Sequence, residues 1–145
     1  MTGSTTCSVH FARHDSQEDL AAALTYIFQN AGELGVTTAN YSLRGSSAGA
    51  RMAASIGSHG AARFGGATLP APSTVALLYT GHSDLASSEP PTFVAVGDAD
   101  GIAPPAAMER RVAALRKAGP MWTTTSMRAS VTASGLASAR VPRVG

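Results

Sequence analysis

The sequence predicts an α/β protein with a parallel sheet and helices on both faces of that sheet. Two short apolar runs, residues 73–80 (STVALLYT) and 91–97 (PTFVAVG), are bounded by Pro, Gly or Ser. Continuous apolar runs of this length are typical of strands buried on both faces. They alternate with segments of helical periodicity, and that alternation is typical of a parallel sheet.

The first predicted helix covers residues 16–35. Ser16 and Asp19 have the spacing of a capping box, although Asp replaces the usual Glu or Gln. Gly35 is suited to end the helix in a left-handed conformation. Apolar side chains recur at helical spacing and form one face: Leu20, Leu24, Ile27 and Phe28.

The remaining elements follow in order along the chain. A short strand is predicted within residues 40–44 (NYSLR) and a helix rich in small residues within 48–57 (AGARMAASIG). A last helix is predicted over residues 104–119, since it begins with prolines, has basic residues in its last turn and ends at Gly119. Its apolar face carries Met108, Val112 and Leu115.

Composition restricts the classes of function. The chain has 145 residues, 44% hydrophobic and 14% charged, which predicts one globular domain. The net charge is +2, but three arginines lie after Gly119, where there is no acidic residue, so a nucleic-acid partner is not expected. We expect no membrane span, no secretion signal, no disulfide at the single Cys7, and no metal or cofactor; a cytoplasmic location follows.

The segment between the first strand and the second helix carries the pattern G-x-S-x-G, residues 45–49. In such a turn a serine, here Ser47, takes a strained backbone conformation that exposes its hydroxyl, and small neighbours such as Gly45 and Gly49 avoid collision. The helix N-terminus behind it offers unpaired amides, and the Ala48 N–H is suited to form half of an oxyanion hole. The alternative is a Gly/Ser-rich loop that matches the pattern by chance.

A serine nucleophile needs a base and an orienting carboxylate, which in such sheets follow in the order Ser, Asp or Glu, His. The strand at 91–97 is followed by Asp98 and Asp100, where site residues belong, and Asp100 is the predicted acid. The alternative is that both aspartates only form turns. The histidine base is not identifiable, because every histidine precedes Asp100: His10, His14, His59 and His82.

These motifs resemble an α/β-hydrolase, in particular the acetyl-esterase, lipase and dienelactone-hydrolase-like serine esterases. The resemblance covers residues 17–119 and implies Ser47 as nucleophile and Asp100 as triad acid. It corresponds to the C-terminal half of the fold. The resemblance leads us to expect that the early strands and the loop that gives the second oxyanion amide are missing, and that the last strand and its histidine are lost. Arg44 also departs from the apolar or aromatic residue that is usual before the elbow.

The boundaries that follow are an irregular segment at 1–16, the core at 17–119 and an irregular segment at 120–145. One hypothesis is that residues from about Met121 are translated out of frame. Read with a one-base shift and suitable third bases, residues 131–135 (VTASG) permit Gly-His-Gly-Phe-Gly, the sequence that the resemblance leads us to expect. The alternative is a genuine disordered extension.

Three functions therefore stay open. The first is a serine-dependent carboxylic-ester hydrolase that acts on small-molecule esters and is weakly active or inactive as an incomplete chain. The second is a non-catalytic fragment or interaction module, which self-associates through an exposed sheet edge. The third is acyl transfer, or lactone or thioester hydrolysis, on the same scaffold.

Overall fold

A computed structural model describes residues 15–97, 100–118, 126–131 and 137–139. The elements are, in order, α1 (Asp15–Gln29), α2 (Ala31–Leu34), β1 (Ser42–Ser46), α3 (Ala48–His59), a 3₁₀ turn (Ala61–Phe64), β2 (Thr74–Leu78), β3 (Thr92–Gly97), α4 (Pro105–Ala118), β4 (Ser126–Val131) and β5 (Ala137–Ala139).

The first predicted helix is observed, with two differences. It begins at Asp15, so residues 15 and 16 belong to it and not to an irregular segment. It is also divided at Asn30 into α1 and the short α2. Gly35 ends α2 with a φ of 64°, which confirms the left-handed cap that the sequence predicted.

The strands form one sheet in the order β1-β2-β3-β4-β5. The pairs β1–β2, β2–β3 and β3–β4 are parallel, and β4–β5 is antiparallel. The predicted parallel sheet is therefore confirmed. Since β1, β2 and β3 run in the same direction, the residues that follow them gather at one edge of the sheet, and a site is expected there.

The described helices cover one face of the sheet, whereas the sequence predicted helices on both. Val75, Leu77, Val94 and Val96 are buried and belong to one face, together with Leu43 through the strand register. They form a single cluster with apolar residues of α1, α3 and α4. The alternate strand residues are half-buried, namely Thr74, Ala76, Leu78, Phe93 and Ala95.

This difference accounts for the unusual residue before the elbow. Arg44 is exposed, whereas its neighbour Leu43 is buried, because successive strand residues alternate between the two faces. Arg44 pairs in register with Ala76, which is only half-buried. A charged residue is tolerated at this position because no described helix covers that face.

A strand follows α4, which corrects two expectations. Ser126–Val131 pairs in parallel with β3, and Ala137–Ala139 pairs with β4, so these stretches are not irregular and a strand does occupy the next position in the sheet. Polar and apolar residues alternate from Ser126 to Val131, which is the period of a strand, although this signal was not recognised in the sequence. The strand pairs with the edge of β3 through main-chain hydrogen bonds. Residues 119–125 and 132–136 lie outside the described residues. Position 132, where the shifted frame gives a histidine, is among them.

Candidate active site

Ser47 lies in the tight turn that joins β1 to α3. Its φ is 51° and its ψ is −118°, a combination that residues with a side chain rarely adopt. Two backbone hydrogen bonds hold it there. The Ser47 N–H donates to the Leu78 carbonyl at 3.0 Å, and the Ser47 carbonyl accepts the Arg51 N–H at 3.2 Å. The backbone thus has the strained conformation predicted for the elbow, and Ser47 itself is exposed.

The two glycines of the motif play different parts. A Cβ at Gly45 would collide with the carbonyl group of Gly49 and would lie 2.5 Å from the Ala50 nitrogen, so this position requires glycine. A Cβ at Gly49 would meet nothing within 4 Å. The predicted need for a residue without a side chain is therefore confirmed at Gly45, whereas the space at Gly49 does not require it.

The Ala48 amide belongs to the first turn of α3, of which Ser47 is the N-cap. The first four amides of a helix have no partner within that helix. No side chain caps this end of α3, whose described first turn also carries no acidic residue. An anion next to Ser47 would therefore find amide donors and the positive end of the helix dipole.

Ser47, Ala48 and Asp100 line one cleft of about 1390 Å³. The cleft lies at the carboxyl edge of the sheet, beside the N-terminus of α3. Its other lining residues are Ser16, Gln17, Arg51, Met52, Ser55, His59, Arg63, Phe64, Tyr79, Thr80, Gly81, His82, Ser83, Asp84, Ile102 and Ala103. The predicted nucleophile and acid, although more than a third of the chain apart in sequence, thus line the same cleft.

Asp100 stabilises the loop between β3 and α4. Its Oδ1 accepts the backbone N–H groups of Ile102 at 2.9 Å and Ala103 at 2.8 Å. These bonds, the one from Ala103 foremost, lower the pKa of the Asp100 carboxyl, so the group is ionised at neutral pH. A turn-forming role is therefore evident, and it leaves Oδ2 available for a histidine. Asp98, the alternative acid, lies outside the described residues.

No histidine within the described part of the chain is hydrogen-bonded to Ser47. His59 lies at the other end of α3, about 18 Å from Ser47 along the helix axis, and its Nε2 is 2.9 Å from Asp84 Oδ2. His82 lines the cleft, but its buried Nε2 has no hydrogen-bonding partner. Burial, followed by the charges of Arg111 and Arg51, lowers the pKa of His82. His10 and His14 lie outside the described residues.

A buried ion pair behind the cleft was not anticipated from the sequence. The Arg111 and Glu89 side chains are only 1% and 5% exposed, and Nη2 and Oε2 lie 3.1 Å apart. Arg111 also donates to the Asp84 carbonyl, and Glu89 Oε1 accepts the Ala86 N–H. These bonds fix the loop between β2 and β3 against α4. No sequence signal indicates the pair, since Arg111 follows Arg110 in an ordinary basic stretch.

Two arginines in the cleft were not predicted as site residues. Arg51 lies one helical turn after Ser47, and Arg63 lies in the 3₁₀ turn. The spacing of four residues between Ser47 and Arg51 could have indicated a shared helix face.

Within the described ranges no three His, Cys, Asp or Glu residues are grouped to hold a metal ion. None of the described helices is long and apolar enough to cross a membrane.

The chain is similar in fold to solved structures of an α/β hydrolase and of esterases. The chain superposes on MGS-M1, an α/β hydrolase from a Medee basin deep-sea metagenome, with a TM-score of 0.67 and 21% identity over 83% of this chain and 50% of that one. Carboxyl esterase 2 from Tuber melanosporum superposes with a TM-score of 0.69 and 17% identity, over 86% of this chain and 55% of the esterase. Esterase 2 from Thermogutta terrifontis superposes with a TM-score of 0.64 and 18% identity, over 81% of this chain and 54% of the esterase.

The chain therefore has part of the α/β-hydrolase fold, as the sequence motifs led us to expect. It spans about half the length of these solved structures, which agrees with the expected C-terminal half. No family model and no curated protein matches the chain.

Proposed function

We propose that this chain is a serine-dependent carboxylic-ester hydrolase of the α/β-hydrolase fold, with Ser47 as its nucleophile. The observation that carries the proposal is the strained backbone of Ser47 at the N-terminus of α3. Strain of this kind persists only where the surrounding structure enforces it; here the Ser47 N–H is bonded to the Leu78 carbonyl, and Gly45 permits the close approach of β1 to the first turn of α3. The esterases among the structural neighbours give further support.

In the proposed reaction the Ser47 oxygen attacks the carbonyl carbon of a small-molecule ester. The hydroxyl proton leaves to a base, the alkoxide departs as an alcohol after taking up a proton, and an acyl-enzyme remains for water to hydrolyse. The Ala48 amide stabilises the negative charge on the carbonyl oxygen. Asp100 is the proposed triad acid. The proposed reaction uses no metal and no cofactor. We also propose a cytoplasmic location, as expected from the sequence.

We expect the chain to be weakly active. No histidine among the described residues is positioned to receive the Ser47 proton. Loss of a triad member lowers kcat by several orders of magnitude, while the oxyanion hole and binding leave a residual rate. Solvent hydroxide then has to remove the proton.

Labelling with a fluorophosphonate probe tests the proposal. The probe reacts with an activated serine, and the Thermogutta terrifontis neighbour was itself solved phosphoramylated by an organophosphorus compound, tabun. Slow labelling is expected at Ser47, identified by peptide mass spectrometry. It should be lost in Ser47→Ala and kept in Ser46→Ala, a matched control one residue earlier on β1. A folded wild-type protein that stays unlabelled, or one labelled equally at Ser46, would overturn the proposal.

The second candidate is a non-catalytic interaction module. It is favoured by β1, which has a neighbour on one side only in the described sheet, and by the half-buried face opposite the helices. Such an edge can pair with a strand of a second copy. Blank labelling together with a concentration-dependent increase in molecular mass would support this candidate. Acyl transfer, or lactone or thioester hydrolysis, stays open as a variant of the first, because the elbow chemistry is the same.

A further inference from the structure

The cleft continues from Ser47 along one side of α3. Ser47, Arg51, Ser55 and His59 are spaced four residues apart and all line it. Residues at this spacing lie above one another on a helix, and the row extends for about 18 Å. The loop that contains Tyr79–Asp84 lines the cleft as well. A substrate with its ester group at Ser47 would therefore place the rest of its structure beside a polar row.

Among the described residues, the two arginines that line this cleft lack partners, whereas the two acids that line it are engaged. Within the described residues, the side chains of Arg51 and Arg63 form no hydrogen bond or ion pair. Asp84 faces His59, and Asp100 accepts two backbone amides. The charge of Arg51 also acts inside the cleft, since it contributes to the lowered pKa of His82, after burial and Arg111.

We propose that Arg51 selects esters that carry a carboxylate close to the scissile bond. The inference rests on the proposed function of Ser47. Arg51 lies one turn beyond Ser47, about 6 Å along the helix axis, which is comparable to the length of a short dicarboxylic acid. A guanidinium binds a carboxylate through two parallel hydrogen bonds, so a monoester of such an acid could meet the Ser47 hydroxyl and Arg51 together.

The expected gain in affinity is modest and sensitive to salt. Arg51 is exposed, and an ion pair in that position is weakened by water and by counterions. We expect a preference of about fivefold for an anionic ester over a neutral ester of the same length at low ionic strength. The preference should decrease as salt is added.

Equilibrium binding tests this inference without turnover. In the Ser47→Ala variant, monomethyl glutarate and its neutral control dimethyl glutarate are titrated and followed by NMR chemical shifts. Acetoxyacetate, which carries its carboxylate on the alcohol part, shows which side of the ester faces Arg51. Monomethyl glutarate should bind about five times more tightly than dimethyl glutarate if the acyl part faces Arg51; if the alcohol part does, acetoxyacetate should show this preference over its own neutral methyl ester. Arg51→Gln should abolish the difference, and Arg51→Lys should restore part of it.

A control variant tests whether any loss of preference is specific to Arg51, and the Ser47→Ala background separates ester binding from the serine mechanism. Arg116 is an exposed arginine on α4 outside the cleft lining, so Arg116→Gln should keep the preference. Equal binding of anionic and neutral esters, or a preference that survives Arg51→Gln, would overturn the role of Arg51. Since these proteins lack Ser47, failure of the serine mechanism would not alter the result.

Discussion

At the scale of single residues, the two glycines of the elbow provide a matched pair. Gly45→Ala introduces a collision with the backbone of Gly49 and Ala50, and we expect it to lower the free energy of unfolding by about 1–3 kcal/mol. Gly49→Ala adds a methyl group in open space within a helix, where alanine is favoured by about 0.5–1 kcal/mol. Urea unfolding of both variants measures the difference. A destabilised Gly49→Ala with a tolerated Gly45→Ala would contradict the geometry.

The pair of His59 and Asp84 predicts a dependence on pH. The hydrogen bond to His59 is the main cause that lowers the pKa of Asp84. A lowered carboxyl pKa stabilises the fold above the ordinary value of about 3.8 and loses this effect as pH falls through the lowered pKa. Asp84→Asn should therefore cost up to about 0.5 kcal/mol at neutral pH, because the pair is exposed.

Urea unfolding of wild type and Asp84→Asn at a series of pH values measures this effect. The difference between the two proteins should vanish in acid. A difference that is the same at neutral and at acid pH would show that the charge of Asp84 does not contribute.

At the scale of structural elements, the buried Arg111–Glu89 pair fixes the cleft loop to α4. Glu89→Ala leaves a buried guanidinium without its partner, and we expect a loss of about 3–5 kcal/mol in the free energy of unfolding. The double variant Arg111→Met with Glu89→Leu removes both charges and should recover most of that loss. Chemical denaturation checks both. A double variant no more stable than Glu89→Ala would show that the charges are not the cause.

The elements also differ in how far the sequence could predict them. Val75, Leu77, Val94 and Val96 lie in apolar runs that depend on local burial, so β2 and β3 were evident from the sequence. The sheet face that no described helix covers was not predicted, because an apolar run does not distinguish a strand covered on both faces from a strand covered on one face. β4 was missed although polar and apolar residues alternate from Ser126 to Val131, because this short alternation lies in a stretch rich in Ser, Thr and Ala.

The candidate site shows the same division. Ser47 and Gly45 were predicted because the elbow imposes a local sequence requirement. Asp100 was predicted from its place after a buried strand, and its hydrogen bonds to Ile102 and Ala103 add a turn-forming role. Arg51 and the Arg111–Glu89 pair were missed, because their importance depends on contacts between segments far apart in the chain.

At the scale of the whole molecule, the main departure from the proposed triad is that no histidine among the described residues is hydrogen-bonded to Ser47. The hypothesis that residues from about Met121 are translated out of frame would account for this. The position at which the shifted frame gives a histidine lies outside the described residues. Nucleotide sequencing across codons 115–145 tests it directly. We expect a one-base discrepancy whose correction gives Gly-His-Gly-Phe-Gly in place of residues 131–135. A confirmed frame would leave a chain that has the elbow but lacks its usual base.

The most direct test of the central claim is intact-mass spectrometry after incubation with p-nitrophenyl acetate. If Ser47 is a nucleophile without its base, both the formation and the hydrolysis of the acyl-enzyme are slow, and a single acetyl group should accumulate on Ser47. The adduct should be missing in Ser47→Ala and present in Ser46→Ala. A folded wild-type protein that gains no acetyl group, or one that carries it on residues other than Ser47, would contradict the account.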